Sequence, residues 1–124
     1  MFYKCINITK VCIKHKKKGF IINNNNNNIK ILKSLLKINI IKFMVIKNNK
    51  IIAHINYHNN APIFNNIINL FKPSNKKYIS LKNLKKITEK HNWILILSTN
   101  KGLINSYEAL RLKIGGLVIA KIWN

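Results

Sequence analysis

Residues 93–123 read WILILSTNKGLINSYEALRLKIGGLVIAKIW, and the reading of this stretch decides the architecture. It opens on an apolar run at 93–97 and closes on another at 117–123; both are short and rich in Ile, the pattern of buried strands. Between them Asn105 stands three residues before Glu108, the spacing of a capping box that opens a helix of one or two turns reaching Lys113. Gly115 and Gly116 are expected to end that helix and to allow backbone geometry closed to other residues. Ahead of the helix, Ser98, Thr99, Asn100, Lys101 and Gly102 crowd hydroxyls, an amide, a cation and a flexible backbone into one turn, beside which the twin glycines can expose further amides. Such a surface suits sugar and phosphate. It suits RNA better than DNA, because the wide RNA minor groove presents 2′-hydroxyls to short polar side chains.

Upstream, residues 63–71 are apolar, Lys72, Pro73, Ser74 and Asn75 form a turn, and Lys76 and Lys77 precede Tyr78. Tyr78 is placed to stack on a base or ribose between phosphate-binding cations, the alternative being a core tyrosine. Leu81, Leu84 and Ile87 mark a short helix. In the first part of the chain, Ile6, Ile8, Val11, Cys12 and Ile13 have loosely helical spacing over 2–15, followed by Lys16, Lys17 and Lys18, which complement the helix dipole. Gly19 breaks the pattern and 20–22 form a short strand. The run Asn23 to Asn28 is a polar loop that ends by capping a helix, whose apolar positions are Ile29, Ile31, Leu32, Leu35, Leu36 and Ile38, with Lys30, Lys33 and Lys37 outward. Residues 40–46 and 51–57 form a hairpin about a turn from Lys47 to Lys50. The expected class is α+β: a helix-strand-helix-hairpin subdomain at 1–61, packed on a mostly antiparallel β subdomain with short helices at 62–124.

Composition points the same way. The 124 residues include 22 Lys, one Arg, two Glu and no Asp, for a net charge of +21. With 48% apolar residues the chain has material for a core, unlike a disordered basic tail. So large a charge repels itself in the compact state and calls for a polyanion to neutralise it. Asn, Ile and Lys supply 69 residues, and their A- and U-rich codons indicate an extremely AT-rich gene, of which organellar genomes are the commonest source. The N-terminus MFYKCINITK carries neither a secretory h-region nor a transit-peptide pattern, so synthesis inside the organelle is expected.

Other chemistries find little support. The uncharged stretch 51–71 contains six asparagines, Asn56, Asn59, Asn60, Asn65, Asn66 and Asn69, besides His54 and His58, and does not suit a bilayer. Glu89 and Glu108 alone give almost no material for acid–base catalysis or a hard-metal site. His15, His54, His58 and His91 show no zinc-ligand spacing with Cys5 and Cys12, which read as small apolar fillers. Ser98 three residues before Lys101 matches a nucleophile pattern whose companion motifs are missing. The expectation is a non-enzymatic protein with no cofactor, no metal, no membrane and no small-molecule substrate.

The segment KPSNKKYISLKNL followed by residues 93–123 resembles the C-terminal half of protein eight of the small ribosomal subunit, in its bacterial and organellar branch. The residues that carry the resemblance are Lys72, Pro73 and Tyr78, then Ser98, Thr99, Lys101 and Gly102, then Glu108 and Ala109, Gly115 and Gly116, and finally Trp123. Over the first seventy residues the match is weaker: Ile8-Thr9-Lys10-Val11 is similar to the family's Leu-Thr-Arg-Ile. The resemblance implies a primary binder of small-subunit rRNA that docks on the central domain, helps organise the platform and neighbours other ribosomal proteins. It places the main contact at Ser98, Thr99, Asn100, Lys101, Gly102, Gly115 and Gly116, with Lys72, Lys76, Lys77 and Tyr78 alongside and Thr9 and Lys10 in the first helix. The expected home is a mitochondrial ribosome, with a free-standing basic RNA-binding protein as the alternative.

Three departures from the family pattern bear on this. Leu117 replaces a Glu after the Gly pair, Asn100 replaces a second serine, and Cys12 and Ile13 stand where Arg and Asn are usual. The last of these is expected to shift N-terminal contacts to Lys14, Lys16, Lys17 and Lys18.

Overall fold

A computed structural model describes residues 2–59, 61, 62, 64, 66–72 and 74–123. Asn60, Ile63, Asn65 and Pro73, all used in the sequence reading, lie outside the described residues. Helix α1 (Phe2–Lys14) buries Cys5, Ile6, Thr9, Cys12 and Ile13, positions that share one helical face. It ends before Gly19 is reached. The Lys16 amide donates to Ile13 O at 3.2 Å and the Lys17 amide to Cys12 O at 3.0 Å, with Lys16 left-handed at φ 53°. That is a Schellman motif, which satisfies carbonyls otherwise orphaned at a helix end.

The same device ends two more helices without glycine. After α2 (Asn26–Lys37), Asn39 is left-handed at φ 66° and its amide and that of Ile40 donate to Leu36 O and Leu35 O. After α4 (Ser106–Leu112), Lys113 takes the left-handed position at φ 58°, with bonds from Lys113 to Leu110 O and from Ile114 to Ala109 O. Lys113 therefore ends α4, the role expected of Gly115 and Gly116. The asparagine run divides its labour: Asn23 ends a strand, Asn25 caps α2 by accepting from the Asn28 amide at 2.8 Å, and Asn28 Nδ2 donates back to Asn23 O at 2.9 Å.

Strands β1 (Gly19–Asn23), β2 (Ile41–Lys47) and β3 (Lys50–Ile55) form an antiparallel sheet in the order β1-β3-β2. Asn48 and Asn49, at φ 51° and 60°, make the two-residue hairpin between Lys47 and Lys50, and positive φ at both residues fits the twist of the strands. A short hairpin, β4 (Tyr57–His58) and β5 (Ala61–Pro62), leads into the second sheet. That sheet comprises β6 (Asn66–Asn69), β7 (Tyr78–Ile79), β8 (Ile94–Thr99), β9 (Gly102–Asn105) and β10 (Gly116–Trp123), with α3 (Leu81–Lys90) after β7. Its order is β6-β10-β8-β9, all antiparallel, and β7 pairs with β10 beyond the end of β6. The chain is α+β. Strand β9 was not foreseen from the sequence, and it turns the Ser98–Gly102 region into a β-hairpin.

Alternation along β8 explains why its run looks apolar throughout. Ile94 and Ile96 enter a large apolar cluster with α1, α2 and the first sheet, whereas Leu95 and Leu97 point to a smaller cluster with Leu84, Ile104, Ala109 and Val118. The second sheet is therefore covered on both faces, and the large cluster draws on residues from both sides of position 61. Among the described residues no helix is long and apolar enough to cross a membrane.

Candidate nucleic-acid interface

Three segments distant in sequence meet at one end of β10. Ser98 pairs with Leu117, and Leu117 pairs with Tyr78, so a single row crosses β8, β10 and β7. Directly paired residues project to the same face of a sheet, which places a hydroxyl, an apolar side chain and a phenol side by side. The backbone of the basic segment is fixed there as well, because Val118 N donates to Lys77 O at 2.8 Å.

Around this row lies a depression of about 560 Å³, lined by Tyr78, Ser98, Thr99, Asn100, Gly115 and Gly116 together with Ile114 and Leu117. Its floor depends on missing side chains. A Cβ on Gly115 would stand 2.3 Å from Ile79 O, and one on Gly116 would stand 2.7 Å from both Ser98 O and the Thr99 methyl. Strand β10 can therefore lie this close to its neighbours only with glycine at these positions.

The polar groups divide into those spent internally and those free to act. Thr99 Oγ1 donates to Gly102 O at 3.0 Å and accepts from the Lys101 amide at 3.1 Å, so this hydroxyl pins the hairpin turn. Gly102, at φ +96°, takes a conformation that L side chains rarely adopt. The Ser98 hydroxyl has no hydrogen-bond partner among the described residues and opens on the depression. Asn100 and Lys101 are exposed at the tip. Tyr78 is 73% exposed, which removes the alternative of a core tyrosine, and Lys72, Lys76 and Lys77 are exposed before it.

The N-terminal candidates lie elsewhere. Thr9 is fully buried in α1 and its hydroxyl donates to Cys5 O at 2.9 Å, so its expected contact with RNA is corrected: the side chain does not reach the surface. Lys10 is exposed, but it lines a separate cleft with Lys14 and Lys16. Cys5 and Cys12 are free and buried. Burial pushes the Cys5 thiol up to about 12, and it raises Cys12 as well, against an opposing pull from the Lys17 ammonium.

Sequence reasoning missed Leu117 and Ile114 as walls of the depression, and it assigned Glu108 too large a part. Asn105 Oδ1 accepts from the Glu108 amide at 2.9 Å, whereas the Glu108 carboxylate lies 3.5 Å from Lys37 Nζ at the end of α2. The cap is therefore Asn105, and the carboxylate links α4 to α2.

The family described as ribosomal protein S8 matches residues 5–123. The chain is 35% identical to the small ribosomal subunit protein uS8m of Acanthamoeba castellanii over 94% of either chain. It is 54% identical to the small ribosomal subunit protein uS8 of Carsonella ruddii over 45% of either chain. A uS8 protein of Wolbachia pipientis is 32% identical over 59% of this chain and 55% of its own length.

Proposed function

The chain belongs to the ribosomal protein S8 family, and from that premise we propose that it is a structural, non-catalytic constituent of a small ribosomal subunit, where it binds the central domain of the rRNA and helps assemble the platform. The observation that carries the reading is the depression at the end of β10, which unites Tyr78, Ser98, Thr99, Asn100, Gly115 and Gly116 from separate parts of the sequence. Its lining is short, hydroxylated or without side chain at the point of closest approach. That fits the edge of an RNA minor groove, where 2′-hydroxyls and sugars project.

In this mechanism the two kinds of contact do different work. Exposed Lys72, Lys76, Lys77 and Lys101 attract phosphates and set orientation, at a gain that comes largely from released counterions. The free Ser98 hydroxyl and the glycine backbone then select the shape of the RNA, and Tyr78 stacks on an exposed base or ribose. Leu117, in the middle of the row, sets an apolar side chain between the Ser98 hydroxyl and the Tyr78 phenol. The name of the relative from Acanthamoeba castellanii and the AT-rich composition together support a mitochondrial ribosome and an organelle-encoded gene. Neighbouring ribosomal proteins would complete its surroundings.

Electron cryo-microscopy of small ribosomal subunits that carry the chain is the direct test. Ser98, Gly116 and Tyr78 are expected against rRNA. The same depression facing water or another polypeptide would overturn the site, and sedimentation of the chain apart from small subunits would favour a free-standing RNA-binding protein instead.

A further inference from the structure

We propose that Trp93, Lys121 and Trp123, with Ile68 beside them, form a protein-docking surface at the Trp123 end of the second sheet, and that its partner is a neighbouring polypeptide which brings a carboxylate to Lys121 within an apolar surround. The inference rests on the proposed place of the chain in a small ribosomal subunit. It calls on none of the residues of the Ser98 depression.

Register places the group. Lys121 pairs with Leu95 on one side and with Ile68 on the other, and Trp123 pairs with Asn66. Directly paired residues share a face of the sheet. Leu95 belongs to the smaller cluster with Leu84 of α3 and Ala109 of α4, so this is the face turned away from α1, on whose side Ile67, Ile94 and Ile122 pack. The two helices cover it around Leu95 and Leu97. Toward Trp123 the cover gives out: Trp93, Lys121 and Trp123 are half-buried and Ile68 is 37% exposed.

The cation is held ready. Lys121 Nζ lies 3.4 Å from the Trp93 ring centre and 4.7 Å from that of Trp123. His91, the residue after α3, stacks on Trp93 at 4.0 Å with 7° between the planes. Attraction between the ammonium and the two rings keeps a flexible side chain in one place before any partner arrives. Among the described residues that ammonium has no ion pair and no hydrogen-bond partner. The chain has little to offer it: of its two glutamates, Glu108 is engaged with Lys37, and Glu89 is exposed on α3 with no ion pair among the described residues.

These facts select the partner. Any surface that covers Lys121 strips water from the ammonium, which is costly unless an acidic group replaces the water. Tryptophan within an aliphatic surround is the composition found at the centre of protein interfaces. A nucleotide fits less well, because a base stacks on an open ring face. An imidazole and an ammonium at these distances from Trp93 are too close to share one face, so both faces of that ring are taken. What remains is indole edge, Ile68 and one cation, the complement of a segment with a single acid among apolar residues. A surface that lacks the acid is turned away by the uncompensated charge.

Carbodiimide treatment of intact small ribosomal subunits that carry the chain tests this, since the reagent joins an amine only to a carboxylate in direct contact. Mass spectrometry of the linked peptides is expected to show Lys121 joined to an Asp or Glu of another polypeptide. The link between Lys37 and Glu108, 3.5 Å apart within the chain, serves as the internal standard. Trp93→Leu, which removes the nearer ring, should lower the Lys121 yield roughly threefold against that standard. The decisive reading comes from the unaltered chain, so it does not depend on the variant assembling. Lys121 joined only to a carboxylate of its own chain, or left unlinked while Lys37 and Glu108 are joined, overturns the docking surface. So does a yield indifferent to Trp93→Leu, or ultraviolet cross-linking of Trp93 or Trp123 to rRNA. Failure of the proposed function reads differently: the chain would then be missing from small-subunit fractions altogether, and this inference would fall with it.

Discussion

Gly116 lies so near Ser98 that a Cβ built on it would stand 2.7 Å from the Ser98 carbonyl oxygen, with the Thr99 methyl equally close. The backbone oxygen cannot yield without parting β10 from β8, so Gly116→Ala is expected to cost about 1–3 kcal/mol as an overpacking substitution. Urea unfolding measures it directly. An unchanged midpoint would mean that the strands close up by some route other than the missing side chain.

Asn105 and Glu108 divide what the sequence presented as one reciprocal motif. Asn105 Oδ1 satisfies the Glu108 amide, so Asn105→Ala should destabilise the protein by about 1 kcal/mol, the usual worth of a lost helix cap. Glu108→Ala removes only an ion pair to a Lys37 side chain that is 59% exposed, and a pair of this kind contributes about 0–1 kcal/mol. Denaturation of both variants at low and high salt separates the two effects, since only the second should shrink with salt. Equal losses that ignore salt would return the cap to Glu108.

These differences show what the residues disclosed and what they withheld. The hairpin around Asn48 and Asn49, the capping asparagine and both buried strands were legible, because each rests on local turn chemistry or on a short continuous apolar run. The members of the Ser98 depression were legible as residue types; their meeting was not, because the pairing of Leu117 with both Ser98 and Tyr78 is a long-range register. Lys16 and Lys113 were missed as helix stops for a different reason: a left-handed lysine carries no compositional mark of the kind glycine does. Thr9 was misplaced because a threonine that bonds back to the preceding turn is hidden on the apolar face, and its helical period alone does not distinguish it from a surface residue.

Burial of Cys5 links stability to pH. Its thiol is raised from an ordinary value of 9.0 to about 12 by desolvation. Above pH 9 the unfolded chain releases this proton and the folded chain keeps it, so the unfolded state binds fewer protons and stability falls as pH rises toward 12. The contribution is complete below pH 9. Cys5→Ala should therefore show a shallower decline than the unaltered chain between pH 9 and 10.5 in matched urea titrations. Parallel declines would show that the thiol is not the group responsible.

Thr99 and Ser98 separate scaffold from contact within one turn. Thr99 Oγ1 is engaged both as donor and as acceptor, so Thr99→Ala should lower stability by about 1 kcal/mol, and Thr99→Ser, which keeps the hydroxyl, should restore it. Ser98→Ala should leave stability nearly unchanged and weaken an rRNA fragment more than a random duplex, because its hydroxyl is free to meet the RNA. Both variants should keep the salt dependence of the parent. If about six phosphates are neutralised, its log–log slope is roughly −4 to −5, a property of the lysines rather than of this turn. Filter binding at several salt concentrations resolves these quantities together. A Ser98→Ala loss that is equal for fragment and duplex would reduce the hydroxyl to scaffolding, and a slope near zero would remove the lysines from the mechanism.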